Sequence, residues 1–315
     1  MSGFELGALG PVFRAIERAN LDVILVGGHA VSFYAAKYGD RCPQLLRYFP
    51  LRSKDADWIG TVDDGIRLAS ALNMAWHKNP RKGGMQGLSL GRIDLQVPPG
   101  GKIEILGKIL GADAKEIRET AVTESAGDFT IHVINPFLLY ETKGINLATI
   151  QQREGEGRRQ DAKQFSVMGI IIAEVLREFA TAVGHARALI KSSGRLLGFC
   201  LTPEGAALVK AGAMDPFKLL PLAVMEKNAS ESVRNLVTKR LPHFQRQLKL
   251  VLKAVPAEEM QRVQGDLRAM EMDVGARSRR ANFDNQRERQ LRIHRALPGR
   301  GAGPLDKDRG PELER

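Results

Sequence analysis

Asp55 and Asp57 stand one residue apart in the stretch SKDADW, residues 53–58, at the mouth of an apolar run. On a strand, positions i and i+2 face the same side, with Cα atoms about 6–7 Å apart. Two carboxylates held that way repel each other unless a cation lies between them. The spacing therefore points to a divalent-metal site, and a solvated loop with scattered acids is the plainer reading of the same letters. A third carboxylate, Asp94, lies within the apolar stretch GRIDLQV. An ionised group there is costly unless it is paired or bound to a metal. Arg92 offers a salt bridge two residues away. If Asp94 pairs only there, Glu104 becomes the next candidate for the third ligand. Gly27 and Gly28 end an apolar run and open a helix, so backbone N–H groups gather where a phosphate can sit against the helix dipole. A glycine pair after a strand also serves turn geometry alone. Taken together, three carboxylates beside a phosphate-sized turn suit Mg²⁺- or Mn²⁺-assisted phosphoryl chemistry.

The elements that position these groups alternate through the first half of the chain. The spacing predicts a helix over 9–19, a buried strand in LDVILVGG (21–28), and a helix in HAVSFYAAKYG closed by Gly39 as a C′ glycine. A basic, aromatic, proline-containing loop follows over 40–52. DADWIG reads as the second strand, and DDGIRLASALN as a helix with acids at its start. KNPRKGGMQG reads as a turn-rich loop, and LSLGRIDLQVPPG holds a third strand stopped by Pro98 and Pro99. A helix at about 112–122 and a fourth strand in FTIHVIN (129–135) complete this part. Thereafter the chain reads as helical. Asn135 caps and Pro136 opens NPFLLYETKGINLATIQQ, a long helix runs through QDAKQFSVMGIIIAEVLREFATAVG, and amphipathic helices fill 185–275. The fold class predicted is α+β. A small mixed sheet with flanking helices occupies 1–135, a helical domain 136–275, and a basic, flexible tail 276–315, in which 284–296 can form a basic helix and the last twenty or so residues cannot bury enough surface to fold alone.

The 315 residues carry a formal net charge of +11. Residues 1–183 hold 22 Lys or Arg against 21 Asp or Glu, and residues 184–315 hold 25 against 15. The excess thus belongs to the second half and suggests a polyanionic partner there, or a basic surface kept for solubility. Arg279, Arg280, Arg287, Arg289, Arg292 and Arg295 cluster near the end. No helix-turn-helix, RRM or zinc-finger signature accompanies them, and aromatics are too sparse after residue 184 for a base-stacking platform. Cys42 and Cys200 have no CxxC partner, which argues against a disulfide framework or structural zinc. The N-terminal stretch lacks a basic n-region and an apolar h-region, and no apolar run nears 18 residues. A cytoplasmic protein that does not engage the membrane is expected.

The series LVGGHAV, SKDADW and RIDLQV resembles the minimal nucleotidyltransferase superfamily in order and spacing. With NPFLLYETKGINLATI and RRQDAKQF, residues 15–170 are most similar to the AbiEii-like branch, known for toxins of type IV toxin–antitoxin systems. The resemblance implies that Gly27, Gly28 and Ser53 hold the phosphates of a nucleoside triphosphate. It implies that Asp55, Asp57 and Asp94 bind the metal and that Asp94 helps activate an acceptor hydroxyl. Lys143, Arg153 and Asp161 match the later Lys/Arg/Asp pattern: Lys143 would contact the triphosphate, and Asp161 would support it or the acceptor. The implied partners are a nucleoside triphosphate, an acceptor that is RNA (tRNA included), a small molecule or a protein, and an antitoxin protein. Ser53 stands for the usual Thr, Ala56 for a larger aliphatic residue, and the gap from Gly28 to Asp55 is long. His29 either contacts a phosphate or caps the helix in solvent, and His132 reads as structural. The alternatives are an inactive copy of the fold and a basic nucleic-acid-binding adaptor.

Overall fold

The computed structural model describes residues 3–79, 88–96, 100–126, 128–150 and 156–280. Within them seven strands form one mixed sheet: β1 (Ile24–Leu25), β2 (Asp55–Ile59), β3 (His77–Lys78), β4 (Ser89–Leu95), β5 (Gly101–Leu106), β6 (Val122–Ala126) and β7 (Phe129–Val133). Their order across the sheet is β3-β4-β5-β2-β1-β7-β6. β1 runs antiparallel to β2 and parallel to β7, and β2 runs parallel to β5. The period-2 alternation of the central strands separates two faces. Ala56, Trp58, Ile93, Ile103 and Ile105 are buried on one of them. The register Asp55↔Lys102↔Asp94 and Asp57↔Glu104↔Arg92 places a sheet of charge on the other.

Helices cover both faces. On the apolar side α1 (Gly10–Arg18) packs against α3 (Val62–Ala71), and the Phe13 ring meets Trp58 edge-on at 5.9 Å. Thr61 and Asp64 close a reciprocal capping box at the start of α3, which fixes where the chain turns after β2. On the charged side α2 (Gly27–Tyr38) packs against β2 and against α6 (Glu156–Thr181). The helix α5 (Pro136–Thr149) begins as its residues predict, with Phe137 N–H donating to Asn135 Oδ1 at 3.0 Å and Pro136 in the first turn. Tyr34 Oη donates to the Ile134 carbonyl at 2.8 Å and joins α2 to the end of β7. The stacked rings of Tyr140 and Phe165, 4.6 Å apart, join α5 to α6.

Beyond the sheet come α4 (Ala114–Thr120, between β5 and β6), α7 (Ala186–Cys200), α8 (Pro203–Lys210), α9 (Pro216–Leu219), α10 (Leu222–Glu226), α11 (Glu231–Asn235), α12 (Leu241–Ala254) and α13 (Ala257–Arg280). A π-helical turn, Leu236–Arg240, links α11 to α12. One continuous hydrophobic core runs from Phe4 to Val274 and includes sheet and helices alike. The architecture is thus α+β, a mixed sheet with flanking helices followed by a helical region. Among the described residues, no helix is long and apolar enough to cross a membrane.

Several local expectations are corrected. Gly39 ends α2 in right-handed backbone, φ −56°, not as a left-handed C′ residue. Strand β1 has two residues, because only Ile24 and Leu25 find partners on both sides. The loop over 40–52 contains a 3₁₀ helix, Pro43–Tyr48, whose Leu45 and Tyr48 are buried. Lys163 Nζ donates to the Pro50 carbonyl and Gln160 Nε2 to the Arg52 carbonyl, so α6 holds that loop down. Strands β3, β5 and β6 go beyond the four that the periodicity predicts, and β5 bears on the site. The turn-rich stretch 80–87, Pro98 and Pro99, and the tail from 281 onward lie outside the described residues.

Arg195 on α7 ties three helices together. It donates to both Glu141 oxygens on α5, at 2.7 and 2.5 Å, and to Glu116 on α4 at 2.6 Å. Burial raises the Glu141 carboxyl above its usual range, and Arg195 pulls it back. Removing one partner of such a pair leaves a buried charge uncompensated. Arg195→Met is expected to cost about 2 kcal/mol in urea unfolding, below the fully buried range because the side chain is 30% exposed. A loss below about 0.5 kcal/mol would show that the clamp carries no weight.

Candidate active site

A pocket of about 760 Å³ opens between the charged face of the sheet and helices α2, α5 and α6. Gly27, Gly28, Ser53, Asp55, Asp57, Lys143 and Asp161 all line it, so the structure brings together seven residues scattered over 135 positions of sequence. The glycine turn is its floor. Gly27 has φ +68°, a region that favours glycine, and a Cβ there would collide with the Asp57 carboxylate. A Cβ on Gly28 would lie 2.6 Å from Ser53 Oγ and 2.8 Å from Gln164 Nε2. The α2 N-terminus has no side-chain cap and no acid in its first turn, which leaves its amides to an anion in the pocket. Ser53 is fixed from behind: Phe4 N–H donates to its carbonyl at 2.9 Å and its own N–H donates to the Phe4 carbonyl at 3.1 Å.

The acids come from two adjacent strands. Asp55 and Asp57 project from the same face of β2, and Glu104 lies opposite Asp57 on β5 and also lines the pocket. Lys102 Nζ stands between the strands, 2.7 Å from Glu104 Oε1 and 3.6 Å from Asp55 Oδ1. Burial, with the neighbouring Glu104 and Asp55 charges, pushes Asp57 up to about 7 against the pull of Lys143. Burial likewise raises Asp55, opposed by Lys102. For Lys102, burial works downward, but its hydrogen bond to Glu104 and the surrounding carboxylates leave it raised overall.

Asp94 is not brought to this pocket. It is exposed on β4, where it pairs with Arg92 Nε at 3.1 Å and lies 3.5 Å from His77 Nε2. The strand β5 runs between β4 and β2, so Lys102 occupies the place beside Asp55 that the sequence assigns to Asp94. Two strand spacings, about 10 Å, separate Asp94 from the β2 acids. Glu104 takes its position in the site. Its signal is the stretch GKIEIL, whose Ile103 and Ile105 alternate with Lys102 and Glu104 at the strand period.

The helices contribute the remaining polar wall. Lys143, 6% exposed, comes from α5 with Thr142 and Asn146, and Asp161, 3% exposed, comes from α6 with Gln160 and Gln164. The polar groups on α5 and α6 other than Lys143 and Asp161 carry no motif, because their place depends on how two helices pack over a sheet. Leu88, Leu106, Ile109 and Leu110 form an apolar ledge beside Asn79 and Ser89. Arg153 lies outside the described residues. His29 neither meets the pocket nor caps the helix in solvent. It is fully buried beside the Phe4 ring at 4.6 Å, and neither ring nitrogen has a partner among the described residues. Burial lowers it to about 4 and keeps it neutral. His132 on β7 lies 3.1 Å from Thr123 Oγ1, a structural contact between neighbouring strands.

The fit to a divalent cation rests on donor chemistry. The acids offer oxygen ligands only, the set preferred by Mg²⁺ and Mn²⁺, and Asp57 is packed against a glycine turn with the carboxylates of Glu104 and Asp55 and the ammonium groups of Lys143 and Lys102 acting on it. Among the described residues no three His, Cys, Asp or Glu side chains are already drawn together as a metal cluster. Lys102 lies between Asp55 and Glu104 and offsets one of their two charges.

No protein-family model and no curated protein matches this chain. Among solved structures it is similar to the crystal structure of an antigenic nucleotidyltransferase-like protein from Paracoccidioides brasiliensis. That similarity has 16% identity and a TM-score of 0.35, and covers 54% of this chain and 77% of the other.

The raised Asp57 carboxyl has a consequence for stability. Between about pH 4, where an unfolded Asp ionises, and pH 7, the folded value, the folded state holds a proton that the unfolded state has lost. Stability from this group therefore falls as pH rises through that window and levels off above it. In EDTA, the melting temperature of wild type relative to Asp57→Asn is expected to drop from pH 4.5 to about 7.5. Parallel curves would show that the carboxyl is not strained. The difference between the two proteins cancels the opposite contribution of His29.

Proposed function

We propose that this protein is a nucleotidyltransferase that moves a nucleoside monophosphate from a nucleoside triphosphate to an acceptor hydroxyl. The observation that carries the reading is the convergence of the Gly27-Gly28 turn, Asp55, Asp57, Glu104 and Lys143 on one pocket of nucleotide size. The α2 amides and Ser53 bind the phosphates, and the charge of Lys143 balances them within a largely buried wall. Asp55, Asp57 and Glu104 would hold Mg²⁺ or Mn²⁺, which when bound supplies charge stabilisation to the entering and leaving oxygens. The acceptor oxygen forms a bond to the α-phosphorus as the bond to the β-phosphate oxygen breaks and pyrophosphate leaves. The acceptor's proton passes to a carboxylate of the site. Glu104 is suited to receive it, because it borders the pocket and Lys102 orients the carboxylate through Oε1. The apolar ledge beside Asn79 and Ser89 suits a nucleobase.

The finer reading is a toxin-like enzyme of the AbiEii kind, with RNA such as tRNA as acceptor and an antitoxin as partner. It is supported by the order of the motifs along residues 15–170 and by the positive second half. The intact acids weigh against an inactive copy.

Turnover of labelled nucleoside triphosphate with Mg²⁺ and total RNA tests the assignment residue by residue. Asp55→Asn, Asp57→Asn and Glu104→Gln are each expected to lose activity by about 10²-fold or more while remaining folded. Asp94→Asn is expected to keep activity within about threefold, as a surface change remote from the pocket. Wild-type activity in Asp57→Asn, or loss in Asp94→Asn with Glu104→Gln unaffected, would overturn the site.

A further inference from the structure

Part of the positive charge of the second half has a definite place on the fold. Residues 232–257 hold six Lys or Arg and no Asp or Glu. Helix α12 turns Leu241, Phe244 and Leu248 into the core. Arg246, Lys249 and Lys253, at spacing i, i+3, i+7, are exposed on the side away from it, with Lys239 a further two turns back. Some arginines elsewhere are neutralised locally: Arg158 by Asp266, Arg177 by Glu174 and Arg195 by Glu141. Among the described residues, none of the four cations along α12 has an acidic partner. A row of like charges with no internal compensation is a standing electrostatic cost, and an external polyanion removes it.

We propose that the exposed face of α12 binds the phosphodiester backbone of a nucleic acid, and, on the nucleotidyltransferase reading above, that this nucleic acid is the acceptor. The reach fits. From Lys239 to Lys253 the helix rises about 21 Å, the length of about six phosphates along one strand of a duplex. The helix α12 packs on α8, and α8 packs on α5, which walls the pocket. Two helix-packing spacings of about 8–10 Å therefore lie between the basic face and the site. A mononucleotide cannot touch both, whereas a polymer can. An anionic membrane is disfavoured, because the apolar face of α12 is used in the core and only Leu250 stands out on the exposed side.

The test uses the full chain, a fluorescent RNA hairpin with a single-stranded 3′ end, EDTA, and no nucleoside triphosphate. Affinity is measured between about 50 and 200 mM salt. Wild type is expected to bind with a steep salt dependence. The triple variant Arg246→Gln/Lys249→Gln/Lys253→Gln is expected to bind at least tenfold more weakly at low salt, with a log–log slope shallower by about 2 to 3, three contacts at about 0.7–0.9 each. The charge-keeping variant Arg246→Lys/Lys249→Arg/Lys253→Arg should match wild type, which separates charge from misfolding. Equal affinity and slope in the triple variant would overturn the proposal. So would unchanged RNA binding alongside a loss of binding to phosphatidylserine vesicles. Asp57→Asn should bind RNA as wild type does. If it also transfers nucleotide normally, the catalytic reading fails while this surface stands.

Discussion

The site is built around the contact between the Asp57 carboxylate and the backbone of Gly27. No side chain fits there, so the strand-to-helix turn and the acidic strand lie against each other at van der Waals distance. That single approach sets the rest. β1 must sit beside β2, the N-terminus of α2 must face the acids, and Ser53 must lie over Gly28. It also places a carboxylate where water is scarce, which raises its affinity for a proton in the absence of another cation. The rest of the sheet serves this arrangement. Trp58, Ile103 and Ile105 anchor the same two strands from the opposite face, so the acids stand on a rigid support.

Much of this is legible in the chain. The glycine pair after an apolar run and the acids at i and i+2 ahead of another are local patterns, and locally both fold as read: a helix opens at Gly27, and Asp55 and Asp57 lie on one strand. Lys143 and Asp161 are reachable only through the resemblance, because a position on a helix says nothing about which pocket it faces until the helices are packed. Asp94 and Glu104 mark the limit most clearly. RIDL and KIEI are the two arms of one hairpin with the same alternation, and each puts an acid on the charged face. The choice between them depends on which arm pairs with β2. That is a question of sheet order, which local periodicity does not contain. The prolines and glycines between the arms read equally well as the end of a strand or as a turn into the next one.

Charge divides the molecule in a way that follows from the same logic. The first half balances its charges almost one for one, and four of its acids, Asp55, Asp57, Glu104 and Asp161, line the pocket with Lys143. In the second half, α12 buries one face and leaves a basic face outward, with no ion pair to an acid among the described residues. On the proposed function, a pocket for a nucleoside triphosphate and a basic surface separated from it by helices suit an acceptor that is itself long and anionic.

The central claim is that the phosphorus attacked in this pocket is the α-phosphorus. Incubating the protein with Mg²⁺, total RNA and a nucleoside triphosphate labelled either at the α- or at the γ-phosphate tests it most directly. The α-label is expected to become covalently attached to acceptor while the γ-label is released as pyrophosphate. Attachment of the γ-label, or release of label from both with nothing attached, would contradict it.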